Sequence, residues 1–312
     1  MQTFNGLIID CDTGRDDALA IWLALALRLP LKAVVGAYGN TTPDNVIHNS
    51  MGVLALAGRA DIPVIRGATA PLKPHHYIDT ILLPKQAGAG NGLCNLTLPY
   101  DDALTPHDAS TDTLASRVLA AAEGQKIDYV ITGNATSFAH ICKALGDDAK
   151  KHINSVTMWG GKLDALWATM PGPDFNFGCD PYAVQAILDS GIPARFMPMD
   201  TTWQIVMTLA ELEVLVPTTP VADFAKELMI AHCKHFAPEP LFRFHDPSVI
   251  YALTDEAPFK NTSWRIGTDA AHPDFGRPIN DPTGTPVQIY MPDATHRAAM
   301  MNSILTTLGF AL

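Results

Sequence analysis

The chain has 312 residues, and 47% of them are hydrophobic, which is enough for one large domain or two smaller ones with a buried core. Its formal net charge of −11 argues against a nucleic-acid partner or an anionic membrane partner, because proteins that bind phosphates need clustered Lys and Arg. The five cysteines are odd in number and widely spaced, which argues against a disulfide framework and against a structural zinc site.

The N-terminal segment does not read as a signal peptide. MQTFNGLIIDCDTG reaches an aspartate at position 10 without a basic segment followed by an apolar stretch. The longest apolar run, residues 18–27, is too short to span a bilayer. Together with the scattered cysteines, which suit a reducing compartment, these features predict a cytoplasmic protein.

Short apolar segments alternate with helical segments along the first two-thirds of the chain. Because the apolar segments are continuous, they are typical of parallel strands buried between two layers of helices. The predicted elements are, in chain order, strand 6–10, helix 16–29, strand 33–38, helix 44–56, strand 128–131, helix 137–145, strand 155–159, helix 182–188 and strand 194–199.

The C-terminal third interrupts this alternation and then returns to it. Residues 208–253 are predicted to form a helical insertion, and a strand at 287–290 and a helix at 294–308 follow it. No repeat or linker divides the chain. We therefore predict an α/β fold in which residues 1–312 form a single domain, with a mainly parallel, open twisted sheet, a Rossmann-like core and flanking helices.

Polar side chains and glycines follow five of the predicted strands. In an open sheet of this kind, ligands bind outside the carboxyl ends of the strands. We therefore expect these residues to meet at one edge of the sheet and to form a binding site. They are Asp10 and Asp12, Asn40, Thr132, Gly160 and Gly161, and Asp200.

The most distinctive feature is a cluster of four aspartates within eight residues, Asp10, Asp12, Asp16 and Asp17. One or two of them could cap the following helix, but four exceed what capping requires. Packed together, four carboxylates would repel one another and raise their pKa values, and a bound hard cation such as calcium or magnesium removes that conflict. The cluster therefore predicts a metal site, with helix capping as the structural alternative.

The residues of this cluster resemble the signature of a known family. DCDTGRDDALA is similar to the N-terminal D-x-D-x-G-x-D-D-A motif of the inosine–uridine-preferring nucleoside hydrolases, which cleave the N-glycosidic bond of ribonucleosides with a tightly held calcium ion. Four further segments resemble segments of that family in the same order, so the resemblance covers most of the chain. They are GNTTPDNVIHN, ITGNATSFA, TMWGG…PDFNFGCDP and FHDP.

The resemblance implies that Ca²⁺ is the cofactor. Its expected ligands are Asp12, Asp17, Asp246 and the backbone carbonyl of Thr132. Asp12 is then also the base that activates the calcium-bound water, and the reaction passes through an oxocarbenium-like transition state at the ribose C1′. His245, in FHDP, is the candidate acid that protonates the leaving base, since a histidine can supply a proton near neutral pH.

The same resemblance implies how a nucleoside is held. Asp16 and Asn176 bind the 2′- and 3′-hydroxyls of the ribose, and Asn40 is a further candidate for that contact. Asp10 lies behind the site and orients the other carboxylates. The implied partner is a small-molecule nucleoside, in purine or pyrimidine salvage, and the implied assembly is a homodimer or homotetramer.

The sequence departs from the family on the side of the 5′-hydroxyl and the base. Asp174 stands where glutamate is usual, and Ala168 where asparagine is usual, so contacts with the sugar are shortened or lost. Trp159 replaces the usual methionine and is a candidate for stacking on the base, with simple packing as the alternative. The segment GAGNGL, which starts at Gly88, lacks the usual histidine. These departures leave the expected calcium ligands intact and leave base and sugar preference open.

Two other functions remain open at this point. LIIDCDTG also fits a haloacid-dehalogenase-like phosphohydrolase, with Asp10 as the nucleophile, Asp12 as acid and base, and magnesium as the cofactor. That hypothesis leaves the neighbouring aspartates and the later HDP unexplained. The second is a non-catalytic protein that binds calcium and ribose, which the departures on the sugar side allow and the intact Asp12 and His245 oppose.

Overall fold

The computed structural model describes residues 4–88, 90–98, 111–235 and 239–311. The strands within these ranges are β1 (Leu7–Cys11), β2 (Leu31–Gly36), β3 (Val64–Arg66), β4 (Ile127–Ile131), β5 (Ile153–Trp159), β6 (Ala194–Met197), β7 (Val206–Thr208), β8 (Val216–Pro217), β9 (Leu241–Arg243), β10 (Phe259–Ile266), β11 (Pro278–Asn280), β12 (Thr285–Tyr290) and β13 (Phe310–Ala311).

The α-helices within the same ranges are α1 (Arg15–Ala26), α2 (Pro43–Leu56), α3 (Leu83–Gly88), α4 (Thr111–Ala121), α5 (Thr136–Leu145), α6 (Ala149–His152), α7 (Asp164–Thr169), α8 (Phe175–Cys179), α9 (Pro181–Asp189), α10 (Met199–Thr202), α11 (Leu209–Val214), α12 (Pro220–His235), α13 (His245–Ala252) and α14 (Ala294–Leu308). Short turns of π- and 3₁₀-helix occupy Ile78–Leu82 and Gly146–Asp148.

Nine of the strands form one sheet in the order β11-β10-β12-β6-β5-β4-β1-β2-β3. The seven strands from β12 to β3 are parallel, and β10 pairs antiparallel with both of its neighbours. The order in which strands are added to the sheet reverses at β1. Strands β2 and β3 lie on one side of it, and β4, β5 and β6 lie on the other. In doubly wound sheets a crevice forms at such a reversal, outside the carboxyl ends of the strands. The topology therefore places a site where β1, β2 and β4 end.

The side chains of β1 alternate between two buried layers. Leu7, Ile9 and Cys11 join the core formed with α1, α13 and α14, whereas Ile8 joins the opposite core with Tyr129 of β4. Helix α1 is itself buried over eight consecutive residues, which agrees with its nearly uniform apolar sequence. Because both faces of β1 are covered, its carboxyl end is held firmly at the edge of the sheet.

The predicted α/β fold is confirmed, and the observed central strands begin and end within about two residues of the predicted ones, as is usual for element boundaries. Strands β10 and β11 were not predicted. The sequence of β10, FKNTSWRI, mixes exposed, half-buried and buried positions near the antiparallel edge of the sheet, so it contains no continuous apolar run.

The predicted helical insertion, residues 208–253, contains α11, α12 and α13. It also contains two short strands that the sequence does not predict. They are β8, which pairs with β13, and β9, which pairs with β7. Helices α12 and α13 both pack against α1, so this segment covers the helix that carries the aspartates. In the ranges that the structure describes, no helix combines the length and the apolar character needed to cross a bilayer.

Candidate active site

Asp10 lies within β1, beneath the edge of the sheet. Its side chain is fully buried, and the hydroxyl of Tyr129 donates to its Oδ2 at 2.9 Å. Its Oδ1 has no hydrogen-bond partner among the described residues, and burial raises the pKa of this carboxyl. A carboxyl that is buried within β1 and hydrogen-bonded to Tyr129 is not presented as a nucleophile, which counts against the phosphohydrolase hypothesis.

Asp17 is both a helix cap and a member of the acidic cluster. The backbone N–H of Gly14 donates to Asp17 Oδ2 at 2.9 Å, which closes the first turn of α1. The hydroxyl of Thr132, just beyond β4, donates to Asp17 Oδ1 at 2.7 Å. Burial and the nearby Asp16 raise the pKa of Asp17 to about 6, although these donors stabilise its charged form. Capping therefore accounts for Asp17 and leaves the other aspartates unexplained.

Asn40, which follows β2, ties two of the carboxylates together. Its backbone N–H donates to Asp12 Oδ2 at 2.7 Å, and its side-chain Nδ2 donates to Asp12 Oδ1 and to Asp17 Oδ2, both at 3.1 Å. The preceding residue must be glycine, because a Cβ on Gly39 would lie 1.9 Å from Asp12 Oδ2. Burial, and then repulsion by Asp17, raise the pKa of Asp12. Asp12 is thus a carboxylate in a fixed orientation with an increased affinity for protons.

Three carboxylates from two helices converge next to Asp12. Oxygens of Asp16, Asp17 and Asp246 all lie within 4.8 Å of one another. Burial, and then repulsion by Asp16 and Asp17, raise the pKa of Asp246 well above its ordinary value. Oxygen donors that destabilise one another's charge fit a hard divalent cation, which binds carboxylates and neutralises the repulsion. The residues present therefore fit a metal ion.

The predicted ligands take different places around this group. Asp17 and Asp246 belong to it, and Asp16, which was predicted to bind the sugar, is its third member. Asp12 adjoins the group through Asn40, as described above. The carbonyl of Thr132 accepts a hydrogen bond from Nδ2 of Asn176 at 2.5 Å, so these two predicted site residues also meet.

A second, uncharged group lies around His245. The Nε1–H of Trp159 donates to Thr202 Oγ1 at 3.0 Å, and Thr202 Oγ1 lies 2.7 Å from His245 Nδ1. The rings of Trp159 and His245 have their centres 4.8 Å apart, with their planes at 51°. Burial, with the charges of Arg243 and Lys85, lowers the pKa of His245 to about 4 against the opposing effect of Asp16. Only 7% of Trp159 is exposed, so most of its surface packs within the protein.

Asp174 holds the loop that follows β5. Its Oδ2 accepts a hydrogen bond from Gly161 N at 2.7 Å, and its Oδ1 accepts one from Phe177 N at 3.1 Å, which caps α8. Burial raises the pKa of Asp174 to about 6, although these hydrogen bonds and Lys162 oppose the change. Both oxygens are therefore engaged by the backbone. Ala168 is exposed on α7 and does not line the buried part of the site.

Two residues near the site were not predicted from the sequence. Lys85, in α3, places its ammonium 3.3 Å from the centre of the Phe175 ring, and burial lowers its pKa although Asp12 raises it. It precedes the GAGNGL segment, of which residue 89 lies outside the described residues. Thr202 lies in the tract DTTW. Neither residue belongs to a motif, so no signal in the sequence distinguishes them from ordinary surface residues.

Comparisons with known sequences identify one family. The family described as "Inosine-uridine preferring nucleoside hydrolase" matches residues 7–302. The pyrimidine-specific ribonucleoside hydrolase RihA of Photobacterium profundum is 32% identical over 273 residues, which are 84% of each chain. RihA of an Enterobacter species is 30% identical over 272 residues, which are 84% of this chain and 83% of that relative.

Solved structures share the fold at lower identity. The purine-preferring ribonucleoside hydrolase from Gardnerella vaginalis superposes with a TM-score of 0.77 at 22% identity, over 97% of this chain and 98% of its own. An inosine-guanosine nucleoside hydrolase has a TM-score of 0.78 at 19% identity, over 96% of this chain and 98% of its own. The chain therefore belongs to the inosine-uridine preferring nucleoside hydrolase family and is a nucleoside hydrolase, an enzyme that cleaves N-glycosidic bonds.

Proposed function

We propose that this enzyme hydrolyses the N-glycosidic bond of a ribonucleoside to ribose and free base, with Asp12 as the base that takes a proton from the attacking water. The observation that carries the proposal is the setting of Asp12. Two hydrogen bonds from Asn40 orient it, and it adjoins three converging carboxylates. In the metal-free protein, burial and repulsion by Asp17 raise its pKa.

The proposed cofactor is Ca²⁺, and its proposed ligands are Asp12, Asp17, Asp246 and the carbonyl of Thr132. Such an ion, when bound, makes a water easier to deprotonate and gathers two sugar hydroxyls. The mutual repulsion of Asp16, Asp17 and Asp246 supports a divalent cation at this place. The donors are all oxygen atoms, which supports a hard ion in preference to zinc.

We propose that the ribose is held through its 2′- and 3′-hydroxyls by Asp16, Asn40 and Asn176. Asp16 is partly exposed at the start of α1, so its carboxylate can accept hydrogen bonds from a diol. The amide of Asn176 is fixed against the carbonyl of Thr132, close to the acidic group. A site built to bind hydroxyls rejects analogues that lack them, so we expect ribonucleosides to be preferred over 2′-deoxyribonucleosides.

The charges of the site support an oxocarbenium-like transition state. Such a state carries positive charge on the ribose ring, and carboxylates held close to the ring stabilise it. We propose that His245 interacts with the leaving base at the other end of the site. Because its pKa is lowered to about 4, His245 is neutral at pH 7 in the free protein and meets the base as a hydrogen-bond donor.

The relatives suggest which nucleosides to test first. The RihA relatives are named as pyrimidine-specific, and they share about 30% identity with this chain over 84% of its length. We therefore propose pyrimidine ribonucleosides as the preferred substrates, within nucleoside salvage. The cysteine content supports a cytoplasmic location, and the family resemblance supports a homodimer or homotetramer.

The test is a panel of uridine, cytidine, inosine and adenosine with calcium present, in which released ribose is measured as reducing sugar. We expect turnover by the wild type and a fall in kcat of about 10²- to 10⁴-fold for Asp12→Asn. A matched control is Asp128→Asn, which changes a buried carboxylate at the opposite end of β4 that accepts from Ser155 at 2.6 Å.

Each other outcome of this panel has a defined meaning. Equal turnover by the wild type and Asp12→Asn would show that Asp12 is not the base. Binding of ribose without release from any nucleoside would indicate the non-catalytic binder. Circular dichroism of each variant shows whether it has folded.

A further inference from the structure

Three elements of the fold converge on the hydroxyl of Thr202. Trp159 ends β5, Thr202 ends α10, and His245 begins α13. The indole N–H of Trp159 donates to Thr202 Oγ1 at 3.0 Å, and the same oxygen lies 2.7 Å from His245 Nδ1. The proposed reaction gives Thr202 no contact with the substrate, although it joins two residues at the leaving-group end of the site.

The hydrogen atoms available at Thr202, together with the distances to its partners, favour one direction for these bonds. The N–H of Trp159 can only donate, so it occupies one lone pair of Thr202 Oγ1. The single hydrogen of the hydroxyl can go to His245 Nδ1 at 2.7 Å or to the carbonyl of Met199 at 3.4 Å. If Nδ1 donated instead, the hydroxyl hydrogen would be left with the carbonyl of Met199 at 3.4 Å, which is longer than a normal O–H···O bond, so we infer that Nδ1 accepts. A neutral His245 must then carry its hydrogen on Nε2.

The second ring nitrogen of His245 is available to a ligand. Within the part of the chain that the structure describes, no hydrogen bond involves Nε2, and this atom is not among the buried atoms that lack a partner. Solvent, or a bound molecule, can therefore reach it. The Trp159 ring packs against the imidazole at 4.8 Å and limits its movement.

The short helix that carries Thr202 is itself held in place on both sides. The hydroxyl of Thr201 donates to the carbonyl of Tyr290 at 2.7 Å, and Oδ2 of Asp200 accepts from the backbone N–H of Leu163 at 2.9 Å. Thr202 is buried along with Thr201. Its hydroxyl is thus preorganised, as a group that orients a functional side chain must be.

We propose that Thr202 is a positioning residue that holds the neutral His245 ring in the tautomer with hydrogen on Nε2, so that the ring presents a hydrogen-bond donor to the leaving base. The catalytic part of this inference rests on the proposed function, whereas the tautomer does not. A donor in this position stabilises the negative charge that builds on the base as the N-glycosidic bond breaks. Thr202 acts on the reaction only through His245.

Nitrogen NMR of protein with labelled histidines tests the tautomer without any nucleoside. In the wild type at pH 7.5 we expect a hydrogen-free Nδ1 and a hydrogen-bearing Nε2 on His245. Thr202→Val removes the hydroxyl at nearly constant shape and should populate both tautomers, whereas Thr202→Ser keeps the hydroxyl and should keep the wild-type pattern. Hydrogen on Nδ1 in the wild type overturns the proposal, and this result does not depend on whether Thr202→Val folds. If Thr202→Val folds and shows the wild-type pattern, the proposal is also overturned.

Kinetics with two leaving groups test the consequence for the reaction. Thr202→Val should lower kcat for a nucleoside roughly tenfold with little change in KM. A tenfold loss is at the lower end of the range for removing a group that orients a functional side chain. With p-nitrophenyl riboside, whose phenolate leaves without a hydrogen bond, it should match the wild type, and Thr202→Ser should match it on both substrates. Equal losses on both substrates contradict the proposal. If the wild type cleaves neither substrate, the proposed function fails, and the NMR result still decides the tautomer.

Discussion

The two ends of the candidate site are built from opposite chemistry. One end carries negative charges that crowd together beyond the end of β1 and at the starts of α1 and α13. The other end consists of neutral groups that hydrogen-bond in series after β5 and β6. The acidic end comprises Asp12, Asp16, Asp17 and Asp246, and the neutral end comprises Trp159, Thr202 and His245.

Burial acts at both ends, and it disfavours charge at both. It raises the pKa of Asp12, Asp17 and Asp246, and it lowers the pKa of His245 to about 4. The acidic end can regain its charge by binding a cation, whereas the neutral end stays uncharged and acts through hydrogen bonds. Glycoside cleavage develops positive charge on the sugar and negative charge on the leaving group, so a site that is anionic at one end and donates hydrogen bonds at the other matches both.

Asp246→Asn should separate the two ends most strongly. It removes one charge from the acidic end, so we expect calcium affinity to fall by more than about 100-fold and turnover to fall with it. This loss exceeds the loss of affinity seen when a hydrogen-bond partner of a metal ligand is removed. In EDTA at pH 7.5 the same variant should be more stable than the wild type, because one source of repulsion is gone. Calorimetric titration with CaCl₂ and thermal unfolding in EDTA measure these effects. Unchanged calcium affinity would remove Asp246 from the proposed ligands.

Asn40→Ala tests how far the acidic end depends on its connecting amide. The change removes the bonds from Nδ2 to Asp12 and Asp17 and keeps the backbone bond to Asp12. We expect kcat to fall by about 10- to 100-fold, as for other groups that orient functional carboxylates. The matched control is Asn45→Ala, because the amide of Asn45 donates to Thr41 and Gly90 and contacts neither carboxylate. An equal loss in this control would mean that the amides order the loop and do not act on the carboxylates.

The acidic end was largely predictable from the sequence, and the neutral end was not. Asp12, Asp16 and Asp17 lie close together after one buried strand, so local spacing alone indicates a shared site. Asp246 was predicted as part of the site only from the resemblance of FHDP to a family segment. Thr202 could not be predicted, because its role depends on α10 and α13 meeting in space, and no local pattern encodes that meeting.

The fold shows the same division between local and non-local information. The central parallel strands are buried on both faces, so each is a continuous apolar run that the sequence displays directly. Strand β10, near the antiparallel edge, mixes exposed and buried residues, and the two-residue strands β8 and β13 exist only because they pair with each other. Such elements are determined by tertiary contacts and carry no periodic signal.

The contribution of Asp17 to the stability of the metal-free enzyme should decrease as the pH rises, contrary to what a surface carboxylate would give. His245, whose pKa is lowered to about 4, contributes in the opposite direction. Asp17 has an ordinary pKa of 3.8 and a pKa of about 6 in the folded state, so the folded protein binds this proton more tightly. The resulting stabilisation is complete below about pH 4 and is lost as the pH rises through 6. Between pH 5 and pH 7.5 in EDTA, Asp17 alone should lower the free energy of unfolding by about 1 kcal/mol.

Calcium should reverse this trend, because the ion binds only the ionised carboxylates and therefore stabilises the folded protein more at pH 7.5 than at pH 5. Urea unfolding at both pH values, with EDTA and with calcium, provides the four measurements. If metal-free Asp17→Asn changes in stability between the two pH values as much as the metal-free wild type does, Asp17 does not contribute to the pH dependence.

Trp159→Phe should have the smallest effect, and it separates two roles of this side chain at the neutral end. Phenylalanine keeps an aromatic ring beside His245 but removes the N–H that donates to Thr202. The short contact between Thr202 and His245 remains, so we expect kcat to change only about twofold, as when one bond of a series is lost. KM should also stay unchanged, because only 7% of Trp159 is exposed and its ring offers little surface for stacking on a base. A rise in KM of tenfold or more for every nucleoside in the panel would instead place the indole against the base, and the neutral end would then recognise the leaving group by stacking as well as by hydrogen bonding.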